Sequence, residues 1–172
     1  AALGAEKIDA LAVRHRRSVL WRPILLGAVF KVTGGAPLPS LPLKGEYAKR
    51  DLPRSARFLG LPYRQPTKFP VSTVSPARAY YWLEPQHAAR AVALAQALYR
   101  AYFVHDQDIS SSEVVAEVAA SLGIDADALR QGMNEAAVKD RLRTETDAAI
   151  AKGVFGSPYL IADGEPFWGS DR

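Results

Sequence analysis

Cysteine is absent from this chain of 172 residues. Its absence excludes disulfide bonds, thiolate metal sites and redox chemistry by a Cys-x-x-Cys motif. Long apolar runs are absent as well, since none approaches the roughly 18 residues that span a bilayer. The N-terminus also lacks the basic region and apolar stretch of a signal peptide. We therefore expect a cytoplasmic protein with no membrane partner.

Catalytic and metal-binding motifs are also scarce. The three histidines, His15, His87 and His105, lie far apart, and none has a second ligand at helical spacing, so we expect solvated or capping histidines and no metal. There is no Gly-x-Ser-x-Gly elbow and no glycine-rich phosphate loop. The net charge of +4 comes from scattered residues, which argues against nucleic acid as a partner. This charge suits a mildly positive cleft for small carboxylates, or solubility alone.

The middle of the chain is predicted to be helical. The alanine-rich stretch Gln86–Val104 has Leu94, Leu98 and Tyr102 at four-residue spacing, which is typical of one buried helix face. Ser110-x-x-Glu113 is a capping box for a helix that runs to about Leu122. The other predicted helices are Ala1–Arg14, Leu25–Val32, Lys44–Gly60 broken by Pro53, Ala77–Leu83 with Pro76 at its first position, one from Asp125, and one from Asn134 or Glu135 to Lys152.

Strand signals occur only near the two ends. Ser18–Ile24 reads as a strand, and so does the apolar run Tyr159–Ile161 that Pro158 opens. Asp163-Gly164 predicts a type I′ hairpin turn, in which both central residues need positive φ. A second short strand follows at Glu165–Trp168. This order resembles the second half of a thioredoxin-like domain. We expect its first strand to precede Ala1 and its last helix to continue beyond Arg172.

Two features suggest a ligand. If the bond before Pro158 is cis, Ser157 presents its main-chain N–H and C=O at the rim of the sheet, where a peptide-like ligand can pair with them. An ordinary turn proline is the alternative. Ser170-Asp171 reads as a helix N-cap that suits a carboxylate and an ammonium group together. Simple capping is the alternative for this pair.

Four segments together resemble the 2-hydroxychromene-2-carboxylate isomerases, close relatives of kappa-class glutathione transferases in the disulfide-oxidoreductase-like thioredoxin superfamily. The segments are Leu20–Gly27, Leu43–Leu52, Phe69-Pro70 and Gly153–Pro158, and the hairpin with Phe167–Arg172 completes the match. The resemblance implies an α/β thioredoxin-like fold with a large all-helical insertion. The expected parts are 1–33 and 136–172 for the thioredoxin-like domain and 34–135 for the insertion.

The resemblance also implies glutathione as cofactor. Ser157, beside Pro158, would pair with its cysteinyl part, and Ser170 and Asp171 would hold its γ-glutamyl end. Lys44 would offer a cation to a carboxylate of glutathione or of the substrate. Phe69 and Trp168 are expected to be apolar walls for a small aromatic carboxylate substrate.

The implied reaction interconverts a cyclic hemiketal carboxylate and a trans-benzylidenepyruvate in naphthalene-type catabolism. The usual oligomeric state of the family implies a homodimer. The family activates the glutathione thiol with a serine that precedes Ala1, so no residue of this sequence receives that role. Two alternatives stay open. One is a kappa-like transferase or peroxidase, and the other is a non-catalytic module that binds glutathione.

Overall fold

Nine α-helices and one hairpin make up the fold, in a computed structural model that describes residues 1–172. The helices are α1 (Ala2–Ala5), α2 (Ile8–Arg14), α3 (Leu26–Thr33), α4 (Lys44–Phe58), α5 (Val74–Leu83), α6 (Ala88–Phe103), α7 (Ser112–Ser121), α8 (Ala126–Gly132) and α9 (Ala136–Ala151). The strands β1 (Tyr159–Ala162) and β2 (Glu165–Trp168) follow α9. None of the helices is long and apolar enough to cross a bilayer.

The hydrophobic core lies among α5, α6, α7, α8 and α9. Leu94 of α6, Val115 of α7 and Leu129 of α8 are fully buried there. Val138 and Leu142 of α9 belong to the same core, so the packing is continuous across residue 135. The predicted division of the chain at 33/34 and 135/136 stays a prediction.

Helix boundaries follow the predicted periodicity closely in the second half of the chain and less closely in the first. The predicted helix over residues 1–14 is interrupted after Ala5, where the Lys7 N–H donates to the Gly4 carbonyl at 3.1 Å and forms a tight turn. α5 begins at Val74, so Pro76 is its third residue rather than its first. A proline is tolerated there because the first four N–H groups of a helix have no partner inside it.

The predicted break at Pro53 is wrong. α4 continues through Pro53 to Phe58. Proline removes one backbone hydrogen bond from a helix, and α4 accommodates this loss while it buries Ala48 and Ala56.

The predicted capping box at Ser110 is displaced by one residue. Ser111 is the N-cap of α7, and its hydroxyl accepts the Val114 N–H at 3.5 Å. Ser110 instead bonds the Asp108 carboxylate through both its hydroxyl and its N–H. Because that carboxylate holds Ser110 in the preceding turn, the next serine caps the helix.

The predicted strand Ser18–Ile24 is also wrong, because the sheet consists of β1 and β2 alone. The carbonyls of this extended segment accept side-chain donors from α5. The Tyr80 hydroxyl donates to the Trp21 carbonyl at 3.3 Å and the Tyr81 hydroxyl donates to the Pro23 carbonyl at 2.7 Å. At the end of the segment, the Leu25 N–H donates to the Thr146 hydroxyl of α9 at 3.2 Å. These three backbone groups, which the sequence pattern predicts to pair with a neighbouring strand, thus form hydrogen bonds with side chains instead.

The hairpin has the predicted turn. Tyr159 pairs with Trp168 and Ala162 with Glu165 in an antiparallel register. Asp163 has φ 53° and Gly164 has φ 86°, as a type I′ turn requires. The hairpin therefore folds back tightly and brings Trp168 beside the start of β1.

Candidate functional site

The loop that enters β1 carries the first candidate site residues. Gly153, with φ 79°, ends the turn after α9, and the Ser157–Pro158 peptide bond is cis. The Gly169 N–H donates to the Pro158 carbonyl at 3.2 Å, whereas the N–H and C=O of exposed Ser157 have no partner in the chain. A free donor and acceptor on one exposed residue can pair with the backbone of a peptide-like ligand.

Gly4 is the residue of α1 that lies beside this loop. A Cβ atom at position 4 would lie 3.1 Å from Cγ of Pro158 and 3.8 Å from Cβ of Ser170. Contacts near 3.1 Å are too tight for a methyl group without displacement of the proline. The first helix, the proline loop and the residues after β2 therefore meet at one point, and the structure brings Ser157, Pro158 and Ser170 together.

Ser170 and Asp171 are exposed at the end of β2. The Ser170 hydroxyl forms no hydrogen bond, and one Arg172 guanidinium nitrogen donates to Oδ2 of Asp171 at 3.1 Å. Ser170 caps no helix within residues 1–172, where residues 169–171 form a bend and a turn. The pair thus offers a hydroxyl and a carboxylate directly after β2, and Ser170 lies, like Pro158, beside Gly4.

Lys44 lies elsewhere, at the start of α4, which packs on the short 3-10 turn Leu38–Ser40. Its side chain is exposed and forms no hydrogen bond or ion pair. No bond joins it to Ser157, Ser170 or Asp171, so the structure does not connect this predicted cofactor residue with the other predicted ones.

The two predicted aromatic walls belong to different clusters. Phe69 is half-buried, and its ring centre lies 6.2 Å from Tyr102 and 6.1 Å from Phe103, both on α6. Trp168 instead contacts Phe155, at 5.1 Å between ring centres. Phe69 is thus part of the packing of the helical region, whereas Trp168 borders the Ser157 loop.

Sequence reasoning missed the aromatic neighbours of Trp168. The ring centres of Phe155 and Tyr159 lie 5.3 Å apart, and a Cβ at Gly156 would lie 2.4 Å from Nε1 of Trp168. The available signal was the closeness of Phe155 and Tyr159 to Pro158, together with a two-residue turn that returns Trp168 to the same place.

An ion pair fixes the far end of the hairpin. Two Arg17 guanidinium nitrogens donate to the two Asp163 carboxylate oxygens, each at 2.6 Å. The hydrogen bond from Arg17, and then its charge, holds the pKa of the Asp163 carboxyl below its usual range. The tip of the hairpin is therefore paired with Arg17, in the segment that follows α2, and Gly4 of α1 lies beside its base.

The family described as "DSBA-like thioredoxin domain" matches residues 1–172. The chain belongs to this family. As a DSBA-like thioredoxin domain it has a helix-rich fold with a small sheet, and the thioredoxin-like fold predicted from the sequence is confirmed.

The sequence of this DSBA-like thioredoxin domain is 30% identical to "Glutathione s-transferase kappa 2" of Caenorhabditis elegans, over 92% of the chain and 78% of that protein. It is 28% identical to "2-hydroxychromene-2-carboxylate isomerase" of Pseudomonas putida, over 99% of the chain and 83% of that protein. A solved structure of a 2-hydroxychromene-2-carboxylate isomerase matches 99% of the chain and 83% of its own, with 26% identity and a TM-score of 0.88. The predicted resemblance to both groups of enzymes is confirmed.

Proposed function

We propose that this protein binds glutathione and uses it to isomerise a 2-hydroxychromene-2-carboxylate-type hemiketal to a trans-o-hydroxybenzylidenepyruvate. The observation that carries the proposal is the unpaired N–H and C=O of Ser157, next to a proline that lies, like Ser170, beside Gly4 of α1. Relatives named as isomerases of this substrate class cover almost the whole chain.

The free polar groups at this point match the chemistry of glutathione, a short peptide with charged ends. The Ser157 backbone would pair with the cysteinyl part, as one strand pairs with another. The Ser170 hydroxyl would donate a hydrogen bond to the γ-glutamyl carboxylate, and Asp171 would hold the ammonium group of the same end. Lys44 would contribute only if a carboxylate reached α4, because it has no bond to the loop.

Glutathione would supply a thiol that becomes the nucleophile as its thiolate. The residues of this chain would bind the cysteinyl part and the γ-glutamyl end of the tripeptide and so orient its sulfur beside the hairpin. Orientation of this kind converts a bimolecular encounter into a step within one complex. The resemblance assigns the lowering of the thiol pKa to none of the residues from 1 to 172.

Substitution of Asp171 tests the binding assignment. Asp171→Ala removes the carboxylate proposed for the ammonium group, and we expect glutathione to bind about tenfold more weakly because a charge-assisted hydrogen bond is lost. Isothermal titration calorimetry gives the affinity. Asp147→Ala removes another exposed carboxylate, on α9, and is the matched control. If both variants bound glutathione like the unaltered protein, the role of Asp171 would be wrong.

A product assay tests the reaction. With glutathione present, we expect a chromene carboxylate to be converted to the benzylidenepyruvate, which is followed by absorbance. The 30% identity to a kappa-class transferase supports a second candidate, transfer of glutathione to an electrophile such as a chlorinated aromatic. Turnover of the chlorinated substrate alone would favour the transferase, and binding without turnover of either substrate would favour a non-catalytic module.

A further inference from the structure

An ion pair attaches the tip of the hairpin to the rest of the chain. Two Arg17 guanidinium nitrogens each donate to one Asp163 carboxylate oxygen at 2.6 Å. In this two-bond arrangement an arginine fixes both the position and the direction of a carboxylate. These two bonds are the hydrogen bonds that join residues 157–172 to residues 1–156. The hairpin lies outside the hydrophobic core, so Arg17 is its polar attachment.

The hairpin connects this attachment to the candidate glutathione residues. Ser157 lies two residues before β1, and Ser170 lies two residues after β2. All four residues of each strand are paired across the ladder, and the turn at Asp163 and Gly164 is the tight type I′ turn. Two short strands paired in this way move as one unit. A shift of the tip therefore changes the direction of both serines.

The base of the hairpin has an attachment of a different kind. A Cβ atom at Gly4 would lie 3.1 Å from Cγ of Pro158 and 3.8 Å from Cβ of Ser170, so the base lies close against the backbone of α1. A close approach at one point sets where the base lies but leaves the hairpin free to turn about it. The tip lies roughly 13 Å away, since four residues extend about 3.3 Å each. The ion pair at the tip therefore sets the angle of the hairpin.

We propose that Arg17 and Asp163 are positioning residues for glutathione, because their ion pair sets the direction of the hairpin that carries Ser157 and Ser170. Both side chains act through those serines and neither touches the ligand. A hairpin that is already held in the binding direction loses less conformational freedom when a peptide pairs with it, which raises affinity. The inference rests on the proposed function, since it requires glutathione to bind at the base of the hairpin.

Asp163→Asn separates positioning from long-range charge. Asparagine tolerates the positive φ of this turn position, and it removes the negative charge that Arg17 binds. Glutathione has a net negative charge at neutral pH, so a purely long-range effect would make it bind more tightly to this variant. Loss of the attachment should instead weaken binding about threefold, which is within the range of an exposed ion pair. Isothermal titration calorimetry gives the affinity.

The arginine variants complete the cycle. Arg17→Ala should weaken glutathione binding to the same extent as Asp163→Asn. The double variant should bind no more weakly than either single variant, because each substitution removes the same attachment. Arg17→Lys keeps the charge without the two-bond geometry and should restore part of the affinity. Added salt should reduce the difference between the unaltered protein and the variants, because it screens an exposed pair.

Arg143→Ala is the matched control, since Arg143 on α9 also belongs to an exposed ion pair, 3.2 Å from Asp140. Its glutathione affinity should equal that of the unaltered protein. The urea unfolding midpoints of Arg143→Ala and Arg17→Ala should be alike, so that a difference in affinity is not a difference in stability. Absence of glutathione binding in the unaltered protein would overturn the proposed function and this inference with it. Unchanged or tighter binding in Asp163→Asn would overturn the inference alone.

Discussion

At the scale of single residues, Gly132 determines how closely two helices approach. A Cβ atom there would lie 2.0 Å from Nε1 and 2.1 Å from Cδ1 of Trp82 on α5. Gly132 itself is buried in α8. The indole thus occupies the place of a side chain, and the contact between α5 and α8 depends on glycine.

We expect Gly132→Ala to destabilise the protein by about 1–3 kcal/mol, because the methyl group overlaps the indole and the two helices must separate. Urea unfolding followed by circular dichroism measures the change. Gly27→Ala in α3 is the control, since its Cβ would meet nothing within 4 Å. There alanine should stabilise the helix by up to about 1 kcal/mol. Equal effects at the two sites would contradict the packing argument.

The candidate site was predictable in part at this scale. Ser157, Pro158 and Ser170 follow from a local motif, and the structure brings them together through Gly4. Phe69 could not be separated from Trp168, because each is an aromatic residue beside a turn and the sequence does not show which ring each one meets. Phe155 was not predicted as a neighbour of Trp168 for the same reason, since their contact depends on how the hairpin folds back.

At the scale of elements, helices whose apolar residues recur at four-residue spacing were predicted well. α6 and α9 lie within the predicted ranges, since periodicity is a local property of the chain. The segment Ser18–Ile24 was predicted wrongly, because a strand needs a neighbouring strand to pair with, and the residues of the segment do not specify one. Its carbonyls are bound by Tyr80 and Tyr81, about 60 residues further along the chain.

Helix caps supply the element-scale prediction. The Asp125 carboxylate accepts the N–H groups of Asp127 and Ala128 at 2.9 and 3.0 Å. Asp125→Ala should therefore destabilise the protein by about 1 kcal/mol. Ser111→Ala should cost less, since its one bond is 3.5 Å long. Urea unfolding midpoints rank the variants.

Ser112→Ala is the control for the caps, because the Ser112 hydroxyl is exposed and forms no hydrogen bond. Its unfolding midpoint should stay the same or rise slightly, since alanine is the better helix former. A loss at Ser112 as large as the loss at Asp125 would contradict the assigned caps.

At the scale of the whole molecule, four charged residues join three separate parts of the chain. Arg22 of the extended segment lies 3.5 Å from Glu84 and 3.4 Å from Glu145, measured from nitrogen to oxygen. Arg141 of α9 lies 2.8 Å from Glu145, and its guanidinium lies 5.5 Å from the ring centre of Tyr81. The network thus connects the segment before α3 with both α5 and α9.

A double-mutant cycle measures this connection. We expect Arg22→Ala and Glu145→Ala to couple by up to about 1 kcal/mol at low salt, a value limited by solvent around the partly exposed arginine. The coupling should fall as salt is added. Arg143 and Asp140, which are both exposed and 3.2 Å apart, form the control pair and should couple much less. An equal coupling energy in both pairs would show that the Arg22–Glu145 pair is no stronger than an ordinary surface ion pair.

The hydrogen bond from Leu25 to Thr146 has a consequence for the motions of the protein. The Leu25 amide precedes α3 and takes part in no helix or strand hydrogen bond. Its acceptor is the hydroxyl of Thr146, a residue that is only 3% exposed, and this hydroxyl itself donates to the Leu142 carbonyl at 2.8 Å. In deuterated solvent this amide exchanges its proton only when the segment separates from α9. One backbone resonance therefore records how often the hydrogen bond between Leu25 and Thr146 opens.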